Sequence, residues 1–322
     1  MAKVNSAVGI EYDSHEIRAV ELTKNGDESY SVSAFGTKQY NDNMFSNGMI
    51  AEPALFAQTL NELITEGKFK VNLPTVIGVN NENVIMRYAT FPKVPDDKLR
   101  GVITMQAQDF IPVPINELGL DFVVIDEDKD DDDQSVLNVL LVGARSIMLE
   151  NIVTNFNNSK FELVDIDSAF LAWCRAAIEK NGEETIGFFK LTDDALNFVS
   201  IVDGDIKMVR SISIPDRASL EVKKAFNTSE DISDMQIQTI ADFLYSELSS
   251  SINYFQMQGD KFIDKVLFSA SCPIEKELLM RLSEKSFVPV SIPSFYEEYM
   301  TSEFNPARFA GCISLAKAAL EG

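Results

Sequence analysis

Histidine is almost absent from this chain, with His15 as the single example among 322 residues. Metal sites built on several histidines, and serine–histidine or cysteine–histidine nucleophilic pairs, therefore have only one possible centre. The three cysteines (Cys174, Cys272 and Cys312) are far apart and form no CxxC pair, which predicts reduced, buried thiols. No segment matches GxxxxGK[ST], GxGxxG or GxSxG. The sequence thus predicts no catalytic and no metal-ligating residue.

Basic residues are also scarce, since 28 Lys and Arg stand against 50 Asp and Glu, a net charge of −22. Nucleic acids and anionic lipid surfaces need clustered cations, so we expect neither as a partner. The longest apolar run, Val136 to Ala144, falls well short of the roughly 20 residues that span a bilayer. The first residues lack the apolar segment of a signal peptide. We therefore expect a cytoplasmic protein without direct membrane insertion.

The acidic excess includes one dense run, DEDKDDDD, from Asp126 to Asp133. A calcium loop of the EF-hand type needs glycine at its sixth position and glutamate at its twelfth. Those positions hold Asp131 and Leu137, so the run is interpreted as a solvated hairpin tip.

The stretch from Ala7 to Leu22 predicts two strands joined by a polar turn. A turn that follows a buried strand can point backbone N–H groups at a phosphate. The same order of strand, turn and strand returns between Thr185 and Arg210, where Gly187 follows Gly9 by 178 positions. Two lobes that begin with the same unit are therefore predicted.

Helical and extended patterns alternate along the rest of the chain, which predicts an α/β fold. The polar segment 181–184 is the best boundary. We expect lobe one at 1–182, lobe two at 183–305, and a C-terminal helix at 306–322 that packs back on lobe one.

Several longer stretches resemble the PilM family, the actin-like cytoplasmic proteins of type IV pilus assembly, which are related to the cell-division protein FtsA. The stretches are AVGIEYDSHEIRAVEL, FPKVPDDKLRGVITMQAQDFIPVPINELGLDF, LVGARSIMLENIVTNF, FELVDIDSAFLAW, LSSSINYFQ and FNPARFAGCISLAKAAL. The resemblance covers nearly the whole chain and implies an actin-like fold, the ribonuclease H-like fold in duplicate. It also implies a small subdomain inserted in lobe one, at about 84–142, and a shortened insertion in lobe two, at about 211–240.

The resemblance further implies a nucleotide site from which this chain departs. Asp13 stands where the first phosphate turn of the family has glycine, and Arg18 stands where it has lysine. In the second turn, Lys190 replaces an aspartate and Thr192 replaces a glycine. The glycines of the adenosine site are replaced at 270–272. If a site is retained, its residues are Glu11, Ser14, Arg18, Lys190, Thr192 and Ser271.

These departures oppose nucleotide binding, because glycine lets the backbone approach a phosphate closely and other residues do not. We therefore expect a pseudo-ATPase without a cofactor. Two alternatives stay open: an active actin-like ATPase that binds Mg-ATP between the lobes, and a filament-forming cytoskeletal protein.

The partner implied by the resemblance is a PilN-like bitopic protein of the inner membrane. Its N-terminal cytoplasmic tail would recruit the chain to the inner face of that membrane, with other pilus platform or motor proteins and a homodimer as further partners. In the family the tail lies in a groove between the core of lobe one and the inserted subdomain. Apolar residues interrupted by prolines suit an extended peptide, and ordinary core packing is the alternative. The expected groove residues are Met86, Tyr88, Met105, Phe110, Ile111, Pro112, Val113 and Pro114.

Overall fold

The computed structural model describes residues 5–13, 15–40, 44–46, 48–81, 83–129, 133–182, 184–226, 231–259 and 261–321. The strands before residue 183 are β1 Ser6–Tyr12, β2 Glu16–Lys24, β3 Tyr30–Gln39, β4 Phe45–Ser46, β5 Met49–Ile50, β6 Pro74–Val79, β7 Val84–Pro92, β8 Leu118–Lys129, β9 Ser135–Arg145 and β10 Glu162–Ser168. The helices of this part are α1 Pro53–Gly67, α2 Asp96–Gln106, α3 Ser146–Phe156 and α4 Ala169–Asn181.

The remaining strands are β11 Ile186–Leu191, β12 Leu196–Val202, β13 Asp205–Ile212, β14 Lys265–Ser269 and β15 Val290–Ser291. The remaining helices are α5 Asp216–Phe226, α6 Asp234–Met257, α7 Glu275–Lys285 and α8 Ala310–Glu321. Lobe one comprises the elements before residue 183 together with α8, and lobe two comprises β11 to β15 and α5 to α7.

Two five-stranded sheets share one topology. The strand order is β3-β2-β1-β6-β10 in lobe one and β13-β12-β11-β14-β15 in lobe two. In each sheet the first three strands are antiparallel, and the last two are parallel additions. The duplication predicted from the sequence is therefore present, with β1 and β11 at the centres of equivalent sheets.

A separate antiparallel sheet, in the order β7-β9-β8, occupies the region where the resemblance implied an inserted subdomain. The helix α2 covers one face of this sheet, with Leu99 and Ile103 packed into a common core. This helix ends at Gln106 and continues as a 3-10 turn, Ala107–Asp109. The sequence, with Pro95-Asp96-Asp97 as a cap, predicts one helix from about Lys98 to Phe110. The acidic run lies at the junction of β8 and β9, and its residues 130–132 are outside the described residues.

The last helix, α8, packs on the sheet of lobe one and on α4. Helix α8 lies very close to β1, since a Cβ at Gly9 would lie 1.9 Å from the carbonyl oxygen of Cys312. A 3-10 segment, Pro306–Phe309, precedes α8, where the sequence predicted one helix from Pro306.

The two lobes also share a hydrophobic core. Trp173 of α4 lies 6.3 Å from Phe188 of β11, measured between ring centroids, and the two planes are nearly parallel. Phe295 completes this aromatic group with an edge-on contact to each ring. The core therefore fixes the junction of the lobes beside the cleft described next.

Candidate functional site

A cleft of about 540 Å³ lies between the lobes at the carboxyl ends of the central strands. The ends of β1, β6, β11 and β14 meet here, which is where sheets of this type place ligands. Five of the six residues predicted for a degenerate nucleotide site line this cleft: Glu11, Arg18, Lys190, Thr192 and Ser271. The sixth, Ser14, lies outside the described residues.

The turn between β1 and β2 is closed by a carboxylate of its own. Asp13 Oδ1 accepts hydrogen bonds from the backbone N–H groups of His15 at 2.9 Å and Glu16 at 3.0 Å. Asp13 Oδ2 accepts a 2.8 Å bond from Arg18, and the Tyr40 hydroxyl donates to the Asp13 carbonyl. Burial alone would raise the pKa of Asp13, but Arg18 and the two backbone donors lower it below its usual value. The amide donors that could face a phosphate are therefore already bonded to an anion.

Arg18 belongs to a chain of ion pairs next to this turn. It donates to Glu16 Oε1 at 2.7 Å, and Glu16 Oε2 accepts a 2.6 Å bond from Arg308. Burial alone would lower the pKa of Arg18, but the carboxylates of Asp13, Glu11 and Glu16 raise it well above its usual value. The guanidinium is thus charged and is neutralised by its own turn.

The loop after β14 is closed in the same way from lobe two. Glu275 Oε1 accepts the backbone N–H groups of Ala270 at 2.7 Å and Ser271 at 3.0 Å. Ser271 has a φ of +52°, a left-handed conformation for which glycine is the usual residue. In the turn after β11, Thr192 Oγ1 accepts the N–H of Ala195 at 3.0 Å. The turns after β1, β11 and β14 are therefore each closed by hydrogen bonds within their own lobe.

Glu11 lies at the end of β1, beneath α4 and α8. Its Oε1 atom accepts a 2.7 Å hydrogen bond from the indole Nε1–H of Trp173, and the Cys312 thiol lies 3.6 Å from its Oε2 atom. A Cβ at Gly311 would lie 2.4 Å from the carboxylate, so α8 approaches Glu11 through a glycine. Burial raises the pKa of Cys312 well above its usual value, so this thiol stays protonated. The carboxylate is therefore fixed in place by both helices.

Lys190 is the buried cation of lobe two. Its Nζ atom lies 3.8 Å from the centroid of the Trp173 ring, a cation–π arrangement, and 3.4 Å from Ser271 Oγ. Burial lowers the pKa of Lys190 to about 8, although the charge of Glu11 acts in the opposite direction. A basic side chain thus lies at the centre of the cleft, between an indole face and a hydroxyl.

Sequence reasoning missed four contributors to this site. Glu275 is in the first turn of α7, where acidic residues are common, and this position was the only signal for it. Trp173 lies in the middle of a helix, and its sequence position gives no signal of a polar contact. Lys223 and Lys224 of α5 line the cleft, and their positions in the sequence give no such signal either.

The eight residues predicted for the partner groove do not form one surface. Ile111 and Val113 are buried with α2 on one face of the β7-β9-β8 sheet. Met86 and Tyr88 lie on the opposite face, because residues two apart in a strand share a face and Met86 belongs to the core between the lobes. The other four are exposed to different degrees on the α2 side: Met105, Phe110, Pro112 and Pro114.

Two open strand edges lie near each other on lobe one. β8 is an edge strand of the three-stranded sheet, and β10 is an edge strand of the first five-stranded sheet. Burial raises the pKa of Asp165 on β10, and the charges of Asp167 and of Asp121 on β8 raise it further. Val123 of β8 and Val164 of β10 are 54% and 53% exposed. We call the region bounded by these five residues the β8–β10 surface.

Within the described ranges, no group of three or more His, Cys, Asp or Glu side chains is arranged to hold a metal ion. The same part of the chain contains no helix with the length and apolar character needed to cross a bilayer.

Two lobes of equal topology around a cleft at the ends of their central strands define an actin-like protein, the ribonuclease H-like fold in duplicate. The chain belongs to the family of the type IV pilus assembly protein PilM, whose model matches residues 9–203. The fold and the family expected from the sequence are thereby confirmed.

Solved structures agree with this assignment of the fold. A chain from a PilM–PilN type IV pilus biogenesis complex is similar with a TM-score of 0.81 and 20% sequence identity, over 99% of this chain and 100% of that one. The ethanolamine utilization protein EutJ from Carboxydothermus hydrogenoformans is similar with a TM-score of 0.54 and 10% identity, over 98% and 90%. A Bacteroides thetaiotaomicron protein with an actin-like ATPase fold is similar with a TM-score of 0.53 and 9% identity, over 98% and 96%.

Proposed function

We propose that this chain is a cytoplasmic scaffold of a type IV pilus assembly platform at the inner membrane, and that it hydrolyses no ATP. In this proposal it binds the N-terminal cytoplasmic tail of a PilN-like membrane protein. Membership of the PilM family supports the role in pilus assembly. The similarity to a chain from a PilM–PilN complex supports the partner.

The internal hydrogen bonds of the turns around the cleft are the observation that supports a protein without ATP hydrolysis. Mg-ATP brings phosphates that need free N–H donors and a divalent ion that needs oxygen ligands. The donors of two turns are bonded to Asp13 and Glu275. The ammonium of Lys190 lies near Glu11, where the resemblance implies a second carboxylate. This set of groups is unsuited to Mg-ATP, which favours a scaffold over an ATPase.

Calorimetric titration of the full chain with Mg-ATP tests this part. We expect no saturable heat in the micromolar range. One-to-one binding in that range would overturn the pseudo-ATPase proposal and restore the ATPase alternative. Sedimentation of the same sample at high concentration tests the filament alternative, because a filament would form large, fast-sedimenting species.

For the partner, we propose that the tail lies on the β8–β10 surface as an extended segment. Open strand edges offer backbone donors and acceptors to an added strand, and alternate side chains of that strand provide selectivity. Asp121 and Asp167 are paired with Arg100 and Arg175 within the chain, so Asp165 is the carboxylate that favours a basic residue in the tail. Val123 and Val164 favour apolar residues.

A labelled peptide with the sequence of the N-terminal cytoplasmic tail of a PilN-like protein tests this placement. We expect Asp165→Lys to weaken peptide binding by about tenfold or more, which corresponds to about 1.4 kcal/mol. Glu298→Lys is the matched control, since it makes the same charge change at an exposed residue of lobe two. Equal effects of both substitutions, or no effect of Asp165→Lys, would contradict this placement of the tail.

A further inference from the structure

A continuous line of side-chain contacts crosses the bottom of the cleft from one lobe to the other. In lobe one, the Glu11 carboxylate accepts the indole N–H of Trp173. The face of the same indole carries the Lys190 ammonium of lobe two at 3.8 Å. Lys190 in turn lies 3.4 Å from the hydroxyl of Ser271, on the self-bonded loop after β14. Each group in this line is therefore in contact with the next.

We propose that Lys190 is a built-in cation that joins the two lobes across the cleft, so that the cleft stays closed without a ligand. The inference rests on the proposed function, because it assumes that Mg-ATP does not enter. Binding of a partner by this scaffold is then not switched by nucleotide.

The chemistry of the contact suits this role. Indole is the strongest cation–π partner among the aromatic side chains, and the attraction is larger when the cation is desolvated. Lys190 is 4% exposed and Trp173 is 1% exposed, so salt and water screen the contact little. The Glu11 carboxylate accepts the indole N–H bond from lobe one, and its negative charge adds to the attraction for the ammonium.

The neighbouring cation does not compete with Lys190 for the indole face. Arg18 is also buried near Glu11, but its guanidinium is bonded to Asp13 and Glu16. The stacking of Trp173 on Phe188 holds the lobes together through apolar contact, which resists separation but is weakly directional. Lys190 adds the directional part of the junction, at the position that faces the interior of the cleft.

Pulsed electron paramagnetic resonance on the full chain measures whether the cleft is closed. Nitroxide labels are placed at two exposed residues, Ala54 in lobe one and Arg217 in lobe two, each replaced by cysteine. The three native cysteines are buried, so the labels react at the new sites. The unsubstituted cleft should give one narrow distance distribution that is unchanged by Mg-ATP.

Lys190→Met removes the charge and keeps a side chain of similar length, and it should lengthen and broaden the distance distribution. Lys223→Met is the matched control, a lysine that lines the same cleft and is exposed, and it should leave the distribution unchanged. Trp173→Phe is a second test, because it keeps an aromatic ring but loses the bond to Glu11, and it should act in the same direction as Lys190→Met.

The outcomes separate this inference from the proposed function. An unchanged distribution in both Lys190→Met and Trp173→Phe would overturn the built-in cation and leave the scaffold role intact. A distribution that shifts with Mg-ATP in the unsubstituted protein would overturn the pseudo-ATPase proposal as well.

Discussion

Replacing Lys190 by methionine should raise the free energy of unfolding at neutral pH. Burial lowers the pKa of this lysine from 10.5 to about 8. At about 1.4 kcal/mol for each pH unit, keeping the ammonium buried costs the folded state about 3 kcal/mol. The lost attraction to the Trp173 ring, about 2 kcal/mol for a desolvated contact, acts in the opposite direction. Because the cost of burial is the larger of the two, we expect a net gain of about 1 kcal/mol for Lys190→Met.

The sign of the pH dependence follows from the same pKa. Below pH 8 the folded and unfolded chains both hold the proton, so the cost of burial is complete. Between pH 8 and 10.5 only the unfolded chain holds it, so this lysine makes the unsubstituted protein more stable as the pH rises. The groups that act on it from the surrounding elements are Glu11, Arg18, Glu275 and Asp13. These four groups are present in the variant and in the unsubstituted protein, so their remaining effects on stability largely cancel in the comparison.

Urea denaturation followed by circular dichroism, at pH 7 and at pH 10, measures both quantities. The variant should be more stable than the unsubstituted protein at pH 7, and the difference should shrink towards pH 10. A less stable variant at pH 7, or a difference independent of pH, would refute the desolvated ammonium. If Lys190→Met is more stable than the unsubstituted protein, a longer distance between the lobes in this variant cannot be attributed to unfolding.

Three further predictions concern the turn, the packing of α8 and the thiols. Asp13→Ala leaves two backbone donors without their acceptor and should lower the free energy of unfolding by about 2 kcal/mol in urea titrations. Gly9→Ala places a Cβ against the carbonyl of Cys312 and should cost about 3 kcal/mol or more, whereas Gly26→Ala, with no atom near its added Cβ, should change the stability little. Burial raises the pKa of Cys272 to about 12, so this thiol and the two other buried cysteines should react with Ellman's reagent only after unfolding. Rapid labelling of the folded protein would contradict that prediction.

The sequence alone predicted most of the strands, helices and the duplication. Each of these is a local pattern: a short apolar run in strands such as β14, apolar spacing in helices such as α6, and Asp203-Gly204 at a tight turn. The resemblance to the PilM family rested on the same kind of contiguous segments. Boundaries were less accurate where a 3-10 turn extends or precedes a helix, as at Ala107–Asp109, because the apolar spacing continues through both conformations.

The residues of the cleft were also identified from the sequence, but not their bonds. The loss of glycine at Asp13 and Thr192 indicated altered turns. That the Asp13 carboxylate closes its own turn, and that Glu275 closes another, follows from hydrogen-bond geometry that no spacing rule contains. The residues predicted for the partner groove lie on two faces of one sheet for a related reason. Met86 and Ile111 lie on opposite faces of a sheet, and only the pairing of β7 with β9 determines which face meets the other lobe.

Local propensity and the order of apolar residues thus determined the elements of this protein, its two lobes and its family. Only the tertiary structure decided which charges meet. Lys190 and Trp173 are 17 positions apart on different lobes, and Trp173 bonds to Glu11, which is 162 positions away. Contacts at such separations depend on how whole sheets and helices pack. The chemistry of the cleft is therefore a property of the assembled lobes.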